Sequence, residues 1–181
     1  MPPKSLIPAI PATTTLADFT GPGLIIPHLR SEEAASAIKE LSRALQTENR
    51  VPDVLPFYQA ALNREFMAST DMEAGMAFPH ARVPGLKEVS FALGRSDEPM
   101  RWGTNGGRQV RLVFLIAVPA TDATQYLLLI SSLARLAKDG GLVARLQKAQ
   151  DAAQMLEVLQ HVGMRSHSTP SSLKKERESR P

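Results

Sequence analysis

Four histidines and no cysteine set the side-chain chemistry open to this 181-residue chain. The histidines are His28, His80, His161 and His167. None stands with another at the short spacing of a zinc-ligand pair, and no thiolate is present to complete a mixed cluster, so no metal site is expected. His167 falls in a Ser/Pro/charge-rich tail. His161 falls in the last turn of an expected helix, where a partly protonated imidazole faces the negative end of the helix dipole. His28, next to Pro27, reads as a surface residue at a strand end. His80 has a different approach: it lies in Met76-Ala77-Phe78-Pro79-His80-Ala81-Arg82, directly after a proline. Proline fixes its own φ and biases the residue before it toward extended backbone. A stiff approach suits a ring presented in one orientation, and it suits a plain tight turn equally well. With a pKa near ~6.5, much of such an imidazole is neutral and nucleophilic at neutral pH.

The elements that must position this ring are bounded first by composition. A chain of this length buries one good core, and a single domain over residues 16–163 is expected. A flexible Pro/Thr-rich segment, 1–15, precedes it and a disordered basic tail, 164–181, follows. The formal charge is +3. From Arg165 onward there are five Lys/Arg and two Glu, so the excess sits wholly in the tail and the rest of the chain is formally neutral. A Ser/Pro/charge-rich segment of this kind does not bury enough apolar surface to order itself. Without a basic stripe interleaved with aromatics on the folded part, no nucleic-acid partner is expected. No apolar run is long enough to cross a bilayer, and prolines interrupt the N-terminal stretch where a signal peptide needs continuity. With cysteine absent, a cytoplasmic location is expected.

Apolar periodicity then places the elements. "GLIIPHL" (23–29) reads as a short strand, and Pro27 favours a sheet edge. Ser31 is expected to cap a helix with Glu32 and Glu33 in its first turn and Ala34, Ile38, Leu41 and Leu45 on one face. Asp53 begins a second helix, with Leu55, Tyr58, Leu62 and Phe66 inward. "VSFALGR" (89–95) alternates as a half-buried strand, with Val89, Phe91 and Leu93 inward. "VRLVFLIAV" (110–118) is nearly continuous and β-branched, as a central strand covered on both faces would be. A helix follows with Leu127, Ile130, Ala134 and Ala137 on one stripe, stopped at Gly140-Gly141. Two further helical pieces, about 142–149 and 151–162, close the domain, Asp151 capping the last and Gly163 ending it. Strands separated by helices, one of them buried on both sides, predict an α/β layer structure. "GTNGGR" (103–108) lacks the Lys-Ser/Thr of a phosphate-cradling loop and reads as a turn between strands; no cofactor is expected.

The segment "LNREFMASTDMEAGMAFPHARV" (62–83) contains Arg64-Glu65 after a helix, Ser69-Thr70, and then Gly75, Ala77, Pro79 and His80. In this order and spacing it resembles the phosphorylation-site signature of the type-two enzyme IIA domains (fructose, mannitol and nitrogen type) of the phosphoenolpyruvate-dependent sugar phosphotransferase system. The resemblance extends over about 16–162, with "LIAVPA" (115–120) and "LISSLARLAKD" (129–139) where that family has a similar strand and helix. It implies a mixed β-sheet of about five strands with helices on both faces. It also implies that His80 accepts a phosphoryl group from an HPr-like phosphocarrier. The group then passes to a IIB domain of a sugar transporter, or serves as a signal to a regulatory target. In the alternative, the chain is a non-catalytic regulatory module that controls a partner by contact.

Phosphoryl transfer spreads negative charge over three equatorial oxygens, so catalysis is chiefly positioning and cationic stabilisation. On the resemblance, Arg64 supplies a planar guanidinium fork to two of those oxygens. Thr70 and Ser69 are expected to add hydroxyl donors, and Arg82 is a second cation of lesser standing, equally readable as a solvated turn residue. Taken alone, Arg64 is also a favourable residue at a helix C-terminus. The family commonly carries a second histidine in a His-Leu pair at the start of the helix after the central strand. Here Tyr126-Leu127 stands in that place and brings a hydroxyl but no charge. Asp71 and Glu73 replace residues often small in the family and put negative charge upstream of His80.

Overall fold

The structure, a computed structural model, describes residues 13–103, 107–121 and 123–164. The expected flexible lead-in up to residue 12, the tail from Arg165 with its basic excess and His167, and the middle of the 103–108 turn lie outside the described residues.

The strands are β1 (Ile25–Ile26), β2 (Asp71–Met72), β3 (Met76–Ala77), β4 (His80–Val83), β5 (Ser90–Arg101) and β6 (Gln109–Pro119). The helices are α1 (Ala34–Thr47), α2 (Val54–Met67), α3 (Thr124–Lys138), α4 (Gly140–Lys148) and α5 (Ala152–Gln160). All six strands form one mixed sheet in the order β1-β5-β6-β3-β2, with β4 also on β6. Long β5 and β6 are antiparallel, while β3 and β4 follow one another along the far edge of β6, both parallel to it.

Residues alternate across β5 and β6, and both sets are buried. Phe91, Leu93, Leu112, Phe114, Ile116 and Val118 pack with Leu129 and Leu133 of α3, Val143 and Leu146 of α4, and Met155 and Val158 of α5. Ala92, Val113, Leu115 and Ala117 pack with Ile38, Leu41 and Leu45 of α1 and with Phe57 and Ala61 of α2. Two cores on opposite faces of one sheet are what period-two side chains produce when both faces are covered. This is the expected α/β fold with helices on both faces, and its sheet has six strands because β2 and β3 are two-residue pieces with no periodic signature.

Several local expectations are corrected. The 89–95 strand is buried on both faces, not half-buried, because Ser90 and Ala92 turn toward α1 and α2 although neither is a large apolar residue. Helix α1 begins at Ala34 with Glu33 as its cap, while the Ser31 hydroxyl donates to Glu40 Oε2 at 2.7 Å. Helix α2 is capped by Asp53, as expected, but buries Phe57, Ala61 and Glu65, leaving Leu55 and Phe66 57% and 61% exposed. Helix α3 buries Leu129, Ser132, Leu133 and Leu136, and Leu127 is exposed. Four consecutive apolar residues, Leu127 to Ile130, carry no phase of their own, so the sequence pattern was satisfied by the wrong stripe. Asp139 ends α3 and accepts from Gly141 N and Leu142 N to begin α4. The expected Asp151 cap accepts from Gln154 N. Among the described residues no helix is long and apolar enough to cross a membrane.

Candidate functional site

The edge of β6 receives β3 and then β4 with a gap between them. Met76–Ala77 pairs with Leu112–Val113, and His80–Val83 pairs with Ile116–Pro119. Pro79 sits in the gap, where its missing N–H costs no ladder bond, and its carbonyl still accepts from Ile116 N at 2.9 Å. Upstream, β2 and β3 form a hairpin closed at Gly75, whose φ of +71° is the left-handed conformation that glycine adopts without steric cost. His80 therefore starts a strand that is anchored on both sides of the proline.

The half-buried His80 ring lies with Nδ1 3.1 Å from the Phe78 carbonyl oxygen. A carbonyl only accepts, so Nδ1 carries the hydrogen, and in the neutral ring Nε2 carries the lone pair. Burial lowers the pKa of His80, and the positive charges of Arg64 and Arg82 lower it further; the bond to Phe78 and the charge of Glu65 oppose them without reversing the direction. The ring of Tyr126, in the first turn of α3, lies beside it with centroids 5.4 Å apart. Burial raises the pKa of the Tyr126 phenol, and the same two arginines pull against that rise.

Arg64 occupies the last turn of α2, where one guanidinium nitrogen donates to the Ala68 carbonyl at 3.1 Å. Its side chain is otherwise exposed. Arg82, two residues beyond His80 on β4, shares the histidine's side of the strand and is exposed. The fold thus brings together His80, Arg64, Arg82 and Tyr126 from three separate elements.

Ser69 and Thr70 are arranged differently from the expectation. Thr70 Oγ1 donates to Glu65 Oε2 at 2.7 Å and accepts from Phe78 N at 3.0 Å. Ser69 Oγ faces Glu65 Oε1 at 3.1 Å and lies close to Asp71 Oδ1. Both hydroxyl hydrogens are thus directed at carboxylates. Glu65, 5% exposed, also accepts from Thr70 N and from Trp102 Nε1, each at 2.7 Å. Sequence reasoning gave Glu65 no role; its signal is a carboxylate falling at helical spacing after Phe57 and Ala61. The upstream acids are partly offset: Arg108 reaches Asp71 Oδ2 at 3.6 Å and Glu73 Oε1 at 4.0 Å.

The other described histidines are engaged elsewhere. His28 meets Asp97 Oδ2 at 2.9 Å and the Gln150 carbonyl at 3.0 Å, and His161 Nδ1 lies 2.8 Å from the Glu157 carbonyl in its own helix. Among the described residues no group of three His, Asp or Glu could hold a metal ion.

The family model described as "Phosphoenolpyruvate-dependent sugar phosphotransferase system, EIIA 2" matches residues 18–162. A nitrogen regulatory protein of Bradyrhizobium diazoefficiens is 28% identical over 144 residues, covering 80% of this chain and 94% of that protein. The PTS system 2-O-alpha-mannosyl-D-glycerate-specific EIIABC component of Escherichia coli is 30% identical over 129 residues, 70% of this chain but 20% of that longer protein. The complex of enzyme IIA mannitol and phosphorylated enzyme IIB mannitol from Escherichia coli contains a chain of the same fold. It matches with a TM-score of 0.65 at 21% identity, over 77% of this chain and 95% of that one. The family match takes in the whole sheet, both helical layers and every residue gathered around His80: this chain belongs to the EIIA 2 family of the phosphoenolpyruvate-dependent sugar phosphotransferase system.

Proposed function

We propose that this chain is a phosphohistidine relay domain in which Nε2 of His80 takes a phosphoryl group from phosphohistidine on an HPr-like carrier. The group is then handed to a IIB domain. The observation that carries this reading is the held ring: Nδ1–H is fixed on the Phe78 carbonyl, and the opposite nitrogen is left as the nucleophile. The Nε2 lone pair forms the new N–P bond as the N–P bond to the carrier's ring breaks, and that bonding pair returns to the carrier's nitrogen. His80 keeps its Nδ1 hydrogen throughout, so no proton has to leave before attack. The lowered pKa keeps the acceptor neutral at neutral pH, which is the reactive form.

Arg64 and Arg82 neutralise the equatorial oxygens. A charge-assisted contact of this kind is worth about 1.5–3 kcal/mol, roughly ten- to a hundred-fold in rate when made only in the transition state. Tyr126 contributes its hydroxyl as a neutral donor. Thr70 and Ser69, with their hydrogens turned to carboxylates, hold the turn that carries His80 in place of contacting the phosphate. This work belongs in the cytoplasm, where the soluble carriers of such a relay reside.

Incubation with phosphoenolpyruvate, enzyme I and the cognate HPr-like carrier is expected to load one acid-labile phosphate, lost in His80→Ala. No incorporation from a cognate donor counts against the relay. A second reading, a regulatory module that controls a partner by contact, is favoured by the near full-length match to a nitrogen regulatory protein. It predicts capture of a kinase, sensor or transporter that is insensitive to His80→Ala.

A further inference from the structure

Glu65 and Arg95 are the charged side chains buried among the described residues. Arg95 meets a carboxylate, that of Asp97. Glu65 meets no cation, and its three committed donors are neutral: Thr70 N, Thr70 Oγ1 and Trp102 Nε1, with the single hydrogen of Ser69 Oγ placed between Glu65 Oε1 and the closer Asp71 Oδ1. An ionised carboxylate is costly to remove from water unless its lone pairs are filled. Here they are filled by donors. A Gln amide could keep its oxygen on Thr70 N and Trp102 Nε1, but its nitrogen would have to donate to Thr70 Oγ1, turning that hydroxyl's hydrogen away and competing with Phe78 N–H for its oxygen.

The bonds continue beyond the carboxylate. With its hydrogen held by Glu65, the Thr70 oxygen presents a lone pair to Phe78 N–H, and the carbonyl of that same residue receives Nδ1–H of His80. Phe78 is thus pinned at its amide by Thr70 while its carbonyl fixes the ring. We propose that Glu65 is a positioning residue for phosphoryl acceptance, acting through Thr70 and Phe78 to hold the proton on Nδ1 and aim Nε2 outward. The inference rests on the relay reading for its consequence in rate, but not for its consequence in the His80 tautomer.

The experiment uses the full chain with Glu65→Gln, Thr70→Val, Thr70→Ser and, as a surface control, Glu157→Gln. Two-bond 1H–15N spectra across a pH titration report the tautomer and pKa of His80, and initial rates with a phosphorylated HPr-like carrier report acceptance. The wild type and Glu157→Gln are expected to show a dominant Nδ1–H tautomer. Thr70→Val and Glu65→Gln are expected to give mixed tautomers and a tenfold or greater loss in kcat, with KM for the carrier within about twofold. Glu65→Gln also moves the His80 pKa further down, since a negative charge that raised it is gone. Thr70→Ser restores the tautomer and the rate, and the Thr70 pair decides the matter if Glu65→Gln does not fold. An unchanged tautomer in Thr70→Val, or an equal loss in Thr70→Ser, overturns the inference. A wild type that takes no phosphate yet shows these tautomer changes sinks the relay reading and leaves the positioning role standing.

Discussion

The rings of His80 and Tyr126 lie 5.4 Å apart between centroids and are tilted by 38°. The contact shields one side of the imidazole, and burial is the largest cause of its lowered pKa. Ring and hydroxyl of Tyr126 can therefore be tested separately. Tyr126→Phe keeps the shield and is expected to leave the His80 pKa unchanged while slowing phosphate uptake by roughly two- to tenfold, the range of one neutral hydrogen bond. Tyr126→Ala is expected to raise the His80 pKa toward its ordinary value, read by proton NMR titration.

Arg64 reaches the site from a helix end that it also caps, through the Ala68 carbonyl. Arg64→Ala is expected to cut uptake from the phosphorylated carrier by roughly ten- to a hundred-fold and to raise the His80 pKa. Arg64→Lys keeps the charge but loses the fork, so it should recover the pKa more fully than the rate. Arg82→Ala is expected to show a smaller loss, in line with its weaker influence on the ring.

Acid should weaken the fold partly through His80. Its folded-state pKa lies below the ordinary 6.5, so between the two values the unfolded chain binds the proton and the folded chain does not. Stability then rises with pH across that window, adds nothing further above 6.5, and carries the full penalty below the folded value. Urea midpoints measured from about pH 7.5 down to about 5 should fall less steeply in His80→Asn than in the wild type.

Trp102 is the single tryptophan of the chain and is fully buried, with its indole N–H on Glu65. Trp102→Phe removes that donor and some core volume. It is expected to cost about 1–3 kcal/mol of unfolding free energy in urea titrations. Glu65 retains both Thr70 donors in this variant, so the rate of phosphate uptake should fall less than in Thr70→Val.

The strand buried on both faces was legible in the sequence because a continuous β-branched run has few other uses. His80 was legible for a related reason: a proline before it announces a constrained backbone. Helix phases were less so. In α2 and α3 more than one apolar stripe fits the period, and only packing against the sheet selects Phe57 over Leu55 or Leu129 over Leu127. The resemblance pointed to Arg64 and Tyr126, while their convergence with Arg82 on one ring is a tertiary fact that no local spacing encodes. The same holds for the hydroxyls of Ser69 and Thr70, whose direction depends on a carboxylate buried a helical turn away.

The interrupted ladder at Pro79 has a mechanical corollary. Because His80, the proposed acceptor, begins a strand clamped to the buried strand β6, it has little freedom to swing toward a visitor. In the proposed relay, donor and recipient must each bring their own reactive atom to the same fixed point. Choosing among carriers is then a matter of how well a visitor's contour seats around that point, and surface changes remote from the imidazole can redirect the traffic while leaving its reactivity intact.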